Sequence, residues 1–199
     1  PNLAREILEG RSAATVIAAT DPAAASALQG LLASDRFRVY TNEDLVGCEL
    51  GGALKNVIAL AAGMAEGLDT GDNARAALIT RGLAEMTRLG VALGGDPMTF
   101  AGLAGMGDVM ATCMSSQSRN RWVGEQVGRG AAPDRVLAGM DQVAEGVRTA
   151  TVACELAASV AMEVPVAEGV RSVFDDGRSP TEVWSALMAR RTGPEVATT

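Results

Sequence analysis

The only lysine in this 199-residue sequence, Lys55, lies in the segment Gly51-Gly52-Ala53-Leu54-Lys55-Asn56-Val57. The other sixteen basic residues are arginines, and the sequence has no histidine. Arginine stays protonated near neutral pH and carboxyl groups are already ionised there, so few side chains can carry a proton. A lysine in a drier environment can do so. Lys55, at the start of an apolar helical pattern, is therefore the candidate general acid or base.

Two further segments carry polar residues in patterns that suit a small anionic substrate. Asp108 and Thr112 are four residues apart, which places both on one face of a helix. The segment Ser118-Arg119-Asn120-Arg121 stands where a helix should begin, and the free N–H groups of a helix start favour an anion. An arginine there can add a bidentate contact to phosphate. These segments predict a phosphorylated substrate beside Lys55.

The first part of the chain has the pattern of an α/β unit. Residues 15–19 form a short apolar, partly β-branched run that predicts a buried strand. Asp21-Pro22 predicts the start of a helix over residues 23–32, and residues 37–41 alternate as a second strand. Two strands make a poor independent sheet, so this unit should need partner strands. We assign residues 1–48 to the tail of an α/β unit.

The rest of the chain has a helical pattern, which predicts a mainly α fold. Helices are expected over 53–68, 72–93, 96–103, 107–113, 119–128, 145–162, 166–174 and from the capping box at Ser179 to about residue 190. Met106, Met110 and Met114 recur every four residues and are interpreted as core side chains, as are Trp122 and Trp184. Residues 49–191 are taken as one all-helical substrate domain, and 192–199 as a frayed tail.

Composition limits the classes of partner and site. A net charge of −7 argues against a general nucleic-acid-binding protein, whose phosphate contacts need a basic face. Three widely spaced cysteines without a CxxC pair indicate reduced thiols in a cytoplasmic protein rather than a disulfide framework or metal site. The longest apolar stretch, residues 57–65, is too short to cross a bilayer, and no signal peptide is recognisable.

With these residues in view, the sequence resembles the bacterial type of NAD(P)-dependent glycerol-3-phosphate dehydrogenase. The likeness runs in order and at family spacing from Pro1 nearly to Arg191. It is carried by Cys48-Glu49-Leu50-Gly51-Gly52-Ala53-Leu54-Lys55-Asn56-Val57, Gly71-Asp72-Asn73-Ala74, Ala77-Leu78-Ile79-Thr80-Arg81-Gly82, Ala101-Gly102-Leu103-Ala104-Gly105-Met106-Gly107-Asp108, Ser118-Arg119-Asn120-Arg121 and Glu145-Gly146-Val147-Arg148-Thr149. The chain corresponds to roughly the C-terminal three-fifths of such an enzyme.

The resemblance implies a fold, a reaction and a set of site residues. The fold would be the helical domain of the 6-phosphogluconate dehydrogenase C-terminal-like type. Residues 1–48 would be the C-terminal tail of an incomplete dinucleotide-binding Rossmann domain, and the active site would lie between the two. The reaction would interconvert sn-glycerol 3-phosphate and dihydroxyacetone phosphate with NAD or NADP, feeding phospholipid synthesis, with Lys55 as general acid/base. The substrate contacts would be Lys55, Asn56, Asp108, Thr112, Ser118, Arg119 and Asn120. The cofactor contacts would be Arg119, Val143 and Glu145.

Other interpretations of these residues stay open at this point. The Gly-rich dinucleotide fingerprint and a second substrate-binding lysine of the family do not occur in this sequence, so we expect no activity from the chain alone. Asp108 could serve as a helix cap, and Lys55 could act as a Schiff-base nucleophile. An isolated helical domain that binds phosphate or forms a homodimer, which its apolar helices favour, is the non-catalytic alternative.

Overall fold

The first four elements form a small parallel sheet with its crossover helix. The computed structural model describes residues 1–140 and 142–191, so the expected frayed tail lies outside the described residues. Helix α1 (Ala4–Leu8), which the sequence did not predict, precedes β1 (Ala13–Ala18), α2 (Pro22–Leu32) and β2 (Phe37–Asn42). The strands pair in parallel, with Ala13 opposite Phe37. The predicted strand–helix–strand order is confirmed, and the Asp21 carboxylate caps α2 by accepting the Ala23 N–H.

Nine further α-helices and one π-helical turn occupy the rest of the described residues, which confirms the mainly α prediction. They are α3 (Leu45–Gly67), α4 (Asp72–Ala92), α5 (Pro97–Ala101), the π-helical turn (Leu103–Gly107), α6 (Asp108–Met114), α7 (Arg119–Gly128), α8 (Pro133–Ala138), α9 (Gly146–Ser159), α10 (Pro165–Phe174) and α11 (Pro180–Met188). Helix α8 was not predicted. The capping box at Ser179 forms as expected, because its hydroxyl accepts the Glu182 N–H and the Glu182 carboxylate accepts the Ser179 N–H.

Helix α3 begins eight residues earlier than the sequence predicted. The Asp44 carboxylate accepts the Gly47 N–H at 2.8 Å and the Asp96 N–H at 2.8 Å, which caps α3 and ties it to the start of α5. Lys55 therefore lies near the middle of a 23-residue helix, and the expectation that it stands at a helix start is wrong. The predicted division between residues 48 and 49 falls within α3, and the domain limits remain a prediction.

Helix α3 forms the centre of the core and crosses α7 at very short range. A Cβ added at Gly63 would lie 2.0 Å from the Arg121 carbonyl oxygen, and one added at Gly124 would lie 2.1 Å from the Leu60 carbonyl oxygen. The two backbones are thus in direct contact, with no side chain between them. Arg121 closes the crossing by donating to Glu66 at 2.9 Å. This crossing fixes the start of α7 relative to the helix that carries Lys55.

The exposed and buried faces of α6 overturn one sequence interpretation. Met106, Met110 and Met114 are 41%, 49% and 73% exposed, so they are not core side chains. Val109 and Cys113, which lie between them in sequence, point inward instead. A four-residue spacing shows that residues share one face of a helix, but it does not show whether that face packs on the core or is exposed to solvent. Trp184 packs against the core as expected, whereas Trp122 is 42% exposed.

Helix α3 is also the one helix in the described residues that is long and apolar enough to span a membrane. Its most apolar 18-residue window has a mean hydropathy of 1.4, and 56% of that window is buried inside the protein. By length and composition a central core helix passes the same test, so this helix is weak support for a membrane span.

Candidate active site

Lys55 pairs with Asp108 across the junction of α3 and α6. The Lys55 Nζ donates to the Asp108 Oδ2, and the two side chains are 22% and 20% exposed. The Gly107 N-cap position makes no side-chain cap bond, and Asp108 is the first residue of α6. Asp108 thus makes no cap bond, and its side chain pairs with Lys55 instead, while the substrate contact implied by the resemblance remains a prediction. An acid in the first turn is in addition favoured by the helix dipole.

A close backbone contact sets the position of Asp108. The π-helical turn that precedes Asp108 lies against α3 at Gly51, where an added Cβ would come within 2.7 Å of the Ala104 carbonyl oxygen. Any other residue at position 51 would push this turn, and Asp108 with it, away from α3. Single π-helical turns are frequent at functional sites because they re-aim the residues next to them. Gly51 thus serves packing rather than helix initiation.

Thr112 and Asn56 are neighbours of the Lys55–Asp108 pair, since Thr112 is one helical turn after Asp108 on α6 and Asn56 is the next residue after Lys55. The Thr112 hydroxyl donates to the Asp108 carbonyl oxygen at 2.6 Å, and this bond anchors the side chain to its own helix. Asn56 directly follows Lys55 on α3 and is buried. Its Oδ1 accepts a hydrogen bond of 3.0 Å from the Asn120 Nδ2, which brings α7 into the same site.

The predicted helix start at Ser118 is confirmed, and the side chains of Ser118, Arg119 and Asn120 contact different parts of the structure. The Ser118 hydroxyl accepts the Arg121 N–H at 3.2 Å and so caps α7. Arg119 is exposed and donates to the Val143 carbonyl oxygen at 3.0 Å. Asn120 is buried between α3 and the start of α9. Arg121 lies outside this group, since it pairs with Glu66 and Glu125.

The residues expected to reach a dinucleotide form one exposed stretch. Val143 is 75% exposed and Glu145 is exposed, and Arg119 on α7 donates to the Val143 carbonyl oxygen. Gly146, the first residue of α9, follows directly and donates its N–H to the Asn120 Oδ1 at 2.9 Å. Sequence reasoning did not single out Gly146, although the Glu145-Gly146 pair is part of the motif that carried the resemblance. No local pattern shows the contact of Gly146, because the Asn120 side chain that accepts its N–H is 26 residues away.

Cys113 on α6 is a buried thiol, and the described residues contain no cluster of metal-ligating side chains. Burial raises the pKa of the Cys113 thiol to about 12, so a thiolate is disfavoured there. Within residues 1–140 and 142–191, no group of three or more histidine, cysteine, aspartate or glutamate side chains is arranged to hold a metal ion. The chemistry of the site accordingly centres on the amine, carboxylate, hydroxyl and amide groups around Lys55.

Comparison with known proteins decides the family. The model of the C-terminal part of NAD-dependent glycerol-3-phosphate dehydrogenase matches residues 44–185, which covers the helical bundle and every site residue described above. The chain belongs to the NAD-dependent glycerol-3-phosphate dehydrogenase family. Within this family the matched part is the C-terminal one, and the Lys55–Asp108 pair lies inside it.

Individual glycerol-3-phosphate dehydrogenases agree with this assignment. The chain is 53% identical over 195 residues to glycerol-3-phosphate dehydrogenase (NAD(P)+) 2 of Sphingopyxis alaskensis, covering 98% of this chain and 59% of that protein. It is 54% identical over 195 residues to the Thermobifida fusca protein of the same activity, covering 98% and 58%. The crystal structure of the Coxiella burnetii glycerol-3-phosphate dehydrogenase superposes with a TM-score of 0.92 at 38% identity, over 96% of this chain and 58% of that one. The chain thus spans somewhat under three-fifths of the length of these relatives.

Proposed function

We propose that this chain is the substrate-binding and proton-transferring part of a dehydrogenase that interconverts sn-glycerol 3-phosphate and dihydroxyacetone phosphate, a reaction that supplies phospholipid synthesis. The observation that carries the proposal is the ion pair between the only lysine of the sequence and Asp108. Both side chains are about four-fifths buried yet reach the surface. Such a pair suits an acid/base group that must meet a small substrate.

The proton step uses Lys55 in both directions. In oxidation, neutral Lys55 takes the proton of the C2 hydroxyl while the C2 hydride leaves; in reduction, its ammonium returns a proton to the forming alkoxide. NAD or NADP, when bound, supplies or accepts that hydride. Asp108 holds the lysine amine in place by accepting its hydrogen bond, so that the amine can face the substrate. Thr112 supports this by holding the backbone carbonyl of Asp108.

The phosphate group of the substrate would bind at the start of α7. Free N–H groups and the helix dipole favour an anion there, and Arg119, the exposed first residue of α7, adds a positive charge. Ser118, Asn120 and Asn56 line the same corner and could donate or accept hydrogen bonds to the substrate. A phosphate held there leaves C2 next to Lys55, and positioning of this kind contributes much of the rate.

The surface at Val143 and Glu145 fits the edge of a dinucleotide. Both residues are exposed and Arg119 donates to the Val143 carbonyl oxygen, so this stretch can contact a ligand that is held mainly by another domain. We therefore expect little or no turnover from residues 1–199 alone. The three free cysteines fit the proposed cytoplasmic location. The homodimer remains a prediction, which sedimentation of the chain would test.

A Schiff-base role for Lys55 is less well supported. The proposed reaction needs only proton and hydride transfer at C2, so a covalent adduct between Lys55 and the carbonyl has no step to serve. Borohydride treatment in the presence of dihydroxyacetone phosphate should consequently leave the mass of the chain unchanged. A covalent increase in mass at Lys55 would favour the nucleophile instead.

The test uses a chimera, because the chain spans only part of its relatives. Residues 1–199 are joined to the N-terminal region of the Sphingopyxis alaskensis relative that this chain does not match. We expect reduction of dihydroxyacetone phosphate by NADH or NADPH, and a loss of at least about 100-fold in kcat for Lys55→Met, as removal of a general acid/base predicts. Arg81→Met, at an exposed position on α4, is the matched charge-removal control and should retain full activity. Near-normal turnover of Lys55→Met would exclude the assignment, as would an inactive chimera that is correctly folded.

A further inference from the structure

Three helices meet at a buried amide, the side chain of Asn120. Its Oδ1 accepts the Gly146 N–H at 2.9 Å, and its Nδ2 donates to the Asn56 Oδ1 at 3.0 Å. The orientation of both amides follows from chemistry, because a backbone N–H can only donate. The oxygen of Asn120 must face Gly146, its nitrogen must face Asn56, and Asn56 must present its oxygen. The Asn120 side chain is therefore a directional link between α9 and α3.

The junction has no spare room. A Cβ added at Gly146 would lie 2.6 Å from the Asn56 carbonyl oxygen and 2.8 Å from the Asn120 Oδ1. The first turn of α9 is consequently seated directly on α3, one residue from Lys55. Arg119 ties the same segment a second time, through its bond to the Val143 carbonyl oxygen. The first two residues of α7 thus hold both ends of the segment 143–146.

We propose that Asn120 is a positioning residue that couples the dinucleotide side of the site to the substrate side. It holds the segment 143–146, which carries the expected cofactor contacts, against the helix that carries Lys55 and Asn56. A dinucleotide that fixes segment 143–146 therefore also fixes Asn56 and the start of α7 in position for the substrate. By the same contacts, a bound substrate fixes segment 143–146 for the dinucleotide. This inference rests on the proposed function for the identity of the two ligands, but the positioning itself can be tested without either.

The first test uses residues 1–199 with no ligand and follows hydrogen exchange of the Gly146 amide by NMR. In Asn120→Ala the Gly146 N–H loses its acceptor, and we expect its exchange to accelerate about fivefold or more, as loss of one hydrogen bond predicts. The amide of Leu89, buried in α4, is the internal reference for global stability. An unchanged exchange ratio between Gly146 and Leu89 would overturn the proposal.

Asn120→Asp is the matched variant for this test. Its carboxylate still accepts the Gly146 N–H, and the Asn56 amide can rotate to donate through its Nδ2. The Gly146 amide should therefore exchange as slowly as in the unaltered chain. Equally fast exchange in Asn120→Asp and Asn120→Ala would mean that the position merely affects packing, which also overturns the proposal.

The second test measures coupling in the chimera. Glycerol 3-phosphate binding is titrated with and without NADH, or with NADPH if that cofactor binds, since these pairs cannot react. We expect the affinity for glycerol 3-phosphate to rise about fivefold or more when the reduced cofactor is present, within the usual range of coupling. In Asn120→Ala the ratio of the affinities with and without cofactor should fall toward one. A ratio of one in the unaltered chimera would overturn the coupling. A chimera that binds neither ligand would instead refute the proposed function, while the exchange test still decides the positioning.

Discussion

Glu85 gives the chain a stability that should depend on pH. It is 6% exposed on α4, and its two carboxylate oxygens accept the N–H groups of Val166 at 2.8 Å and Ala167 at 3.0 Å. These are first-turn donors of α10, whose N-cap position makes no side-chain cap bond of its own. A carboxylate from a neighbouring helix therefore does the work of a cap.

Burial raises the pKa of Glu85 from 4.5 to about 7, although the bonds from Val166 and Ala167 act in the opposite direction. Of the charged groups that face it, Arg88 on the same helix lowers the pKa and Glu168 on α10 raises it. Because the folded state holds the proton more tightly, this contribution to stability is complete below pH 4.5 and is lost as the pH rises through 7. The difference between the two pKa values corresponds to about 3 kcal/mol.

Urea unfolding at pH 5.5 and pH 8.5 measures this effect, and both conditions avoid precipitation near the isoelectric point of about 4.7. Over that interval the linkage predicts that the unaltered chain loses about 2 kcal/mol of stability relative to Glu85→Gln, which cannot titrate. Glu155→Gln, at an exposed position on α9, should keep the pH dependence of the unaltered chain. If Glu85→Gln and the unaltered chain showed the same change between the two pH values, the assigned pKa of Glu85 would be wrong.

Two further predictions concern packing and thiol reactivity. Gly124→Ala should lower the free energy of unfolding in urea by at least about 2 kcal/mol, because its Cβ would overlap a backbone carbonyl of α3. Gly52→Ala, whose Cβ would meet no atom within 4 Å, should raise the free energy of unfolding by up to about 1 kcal/mol. Equal effects of the two substitutions would refute the close crossing of α3 and α7. Cys113 should react with a thiol reagent only when the chain unfolds, since burial raises its pKa to about 12, while Cys48 and Cys154, which are partly exposed, should react first. Labelling of Cys113 in the folded chain, read by peptide mass, would contradict its burial.

The helix starts show how far local sequence determines this fold. Asp21 and Ser179 were predicted as N-caps and Ser118 as the place where a helix begins, and all three side chains accept a backbone N–H of the first turn. Such caps depend on residues two or three positions apart, so the sequence pattern is sufficient. Asp44 does the same for α3, but the glycines that follow it resemble a helix break. The contact that explains Gly51, with Ala104 on a distant turn, is not visible in any local window.

The residue types of the candidate site follow from the sequence more directly than their contacts do, and their roles remain predictions. Lys55 stands out because few other side chains in this sequence can carry a proton, whereas its pairing with Asp108, 53 residues away, follows from no local pattern. By residue type and helix position alone, Arg121 is as good a phosphate ligand as Arg119, and only the resemblance favoured Arg119. The crossing of α7 over α3 gives a physical reason, because it places Glu66 2.9 Å from Arg121. Long-range partners of this kind decide which of two equivalent charges is available to a ligand.

The same contacts that obscure the helix pattern also build the site. Glycine within a helix costs roughly 1 kcal/mol relative to alanine, so three of them at Gly51, Gly124 and Gly146 are unfavourable by propensity alone. Each allows two backbones to touch: Gly51 admits the turn before Asp108, Gly124 admits α3 to α7, and Gly146 seats α9 on Asn56. Their combined effect is to bring polar groups from α3, α6, α7 and α9 to a single corner around Lys55. A helix bundle with alanine at these three positions would gain local propensity, but it would separate the lysine from the residues that give it a function.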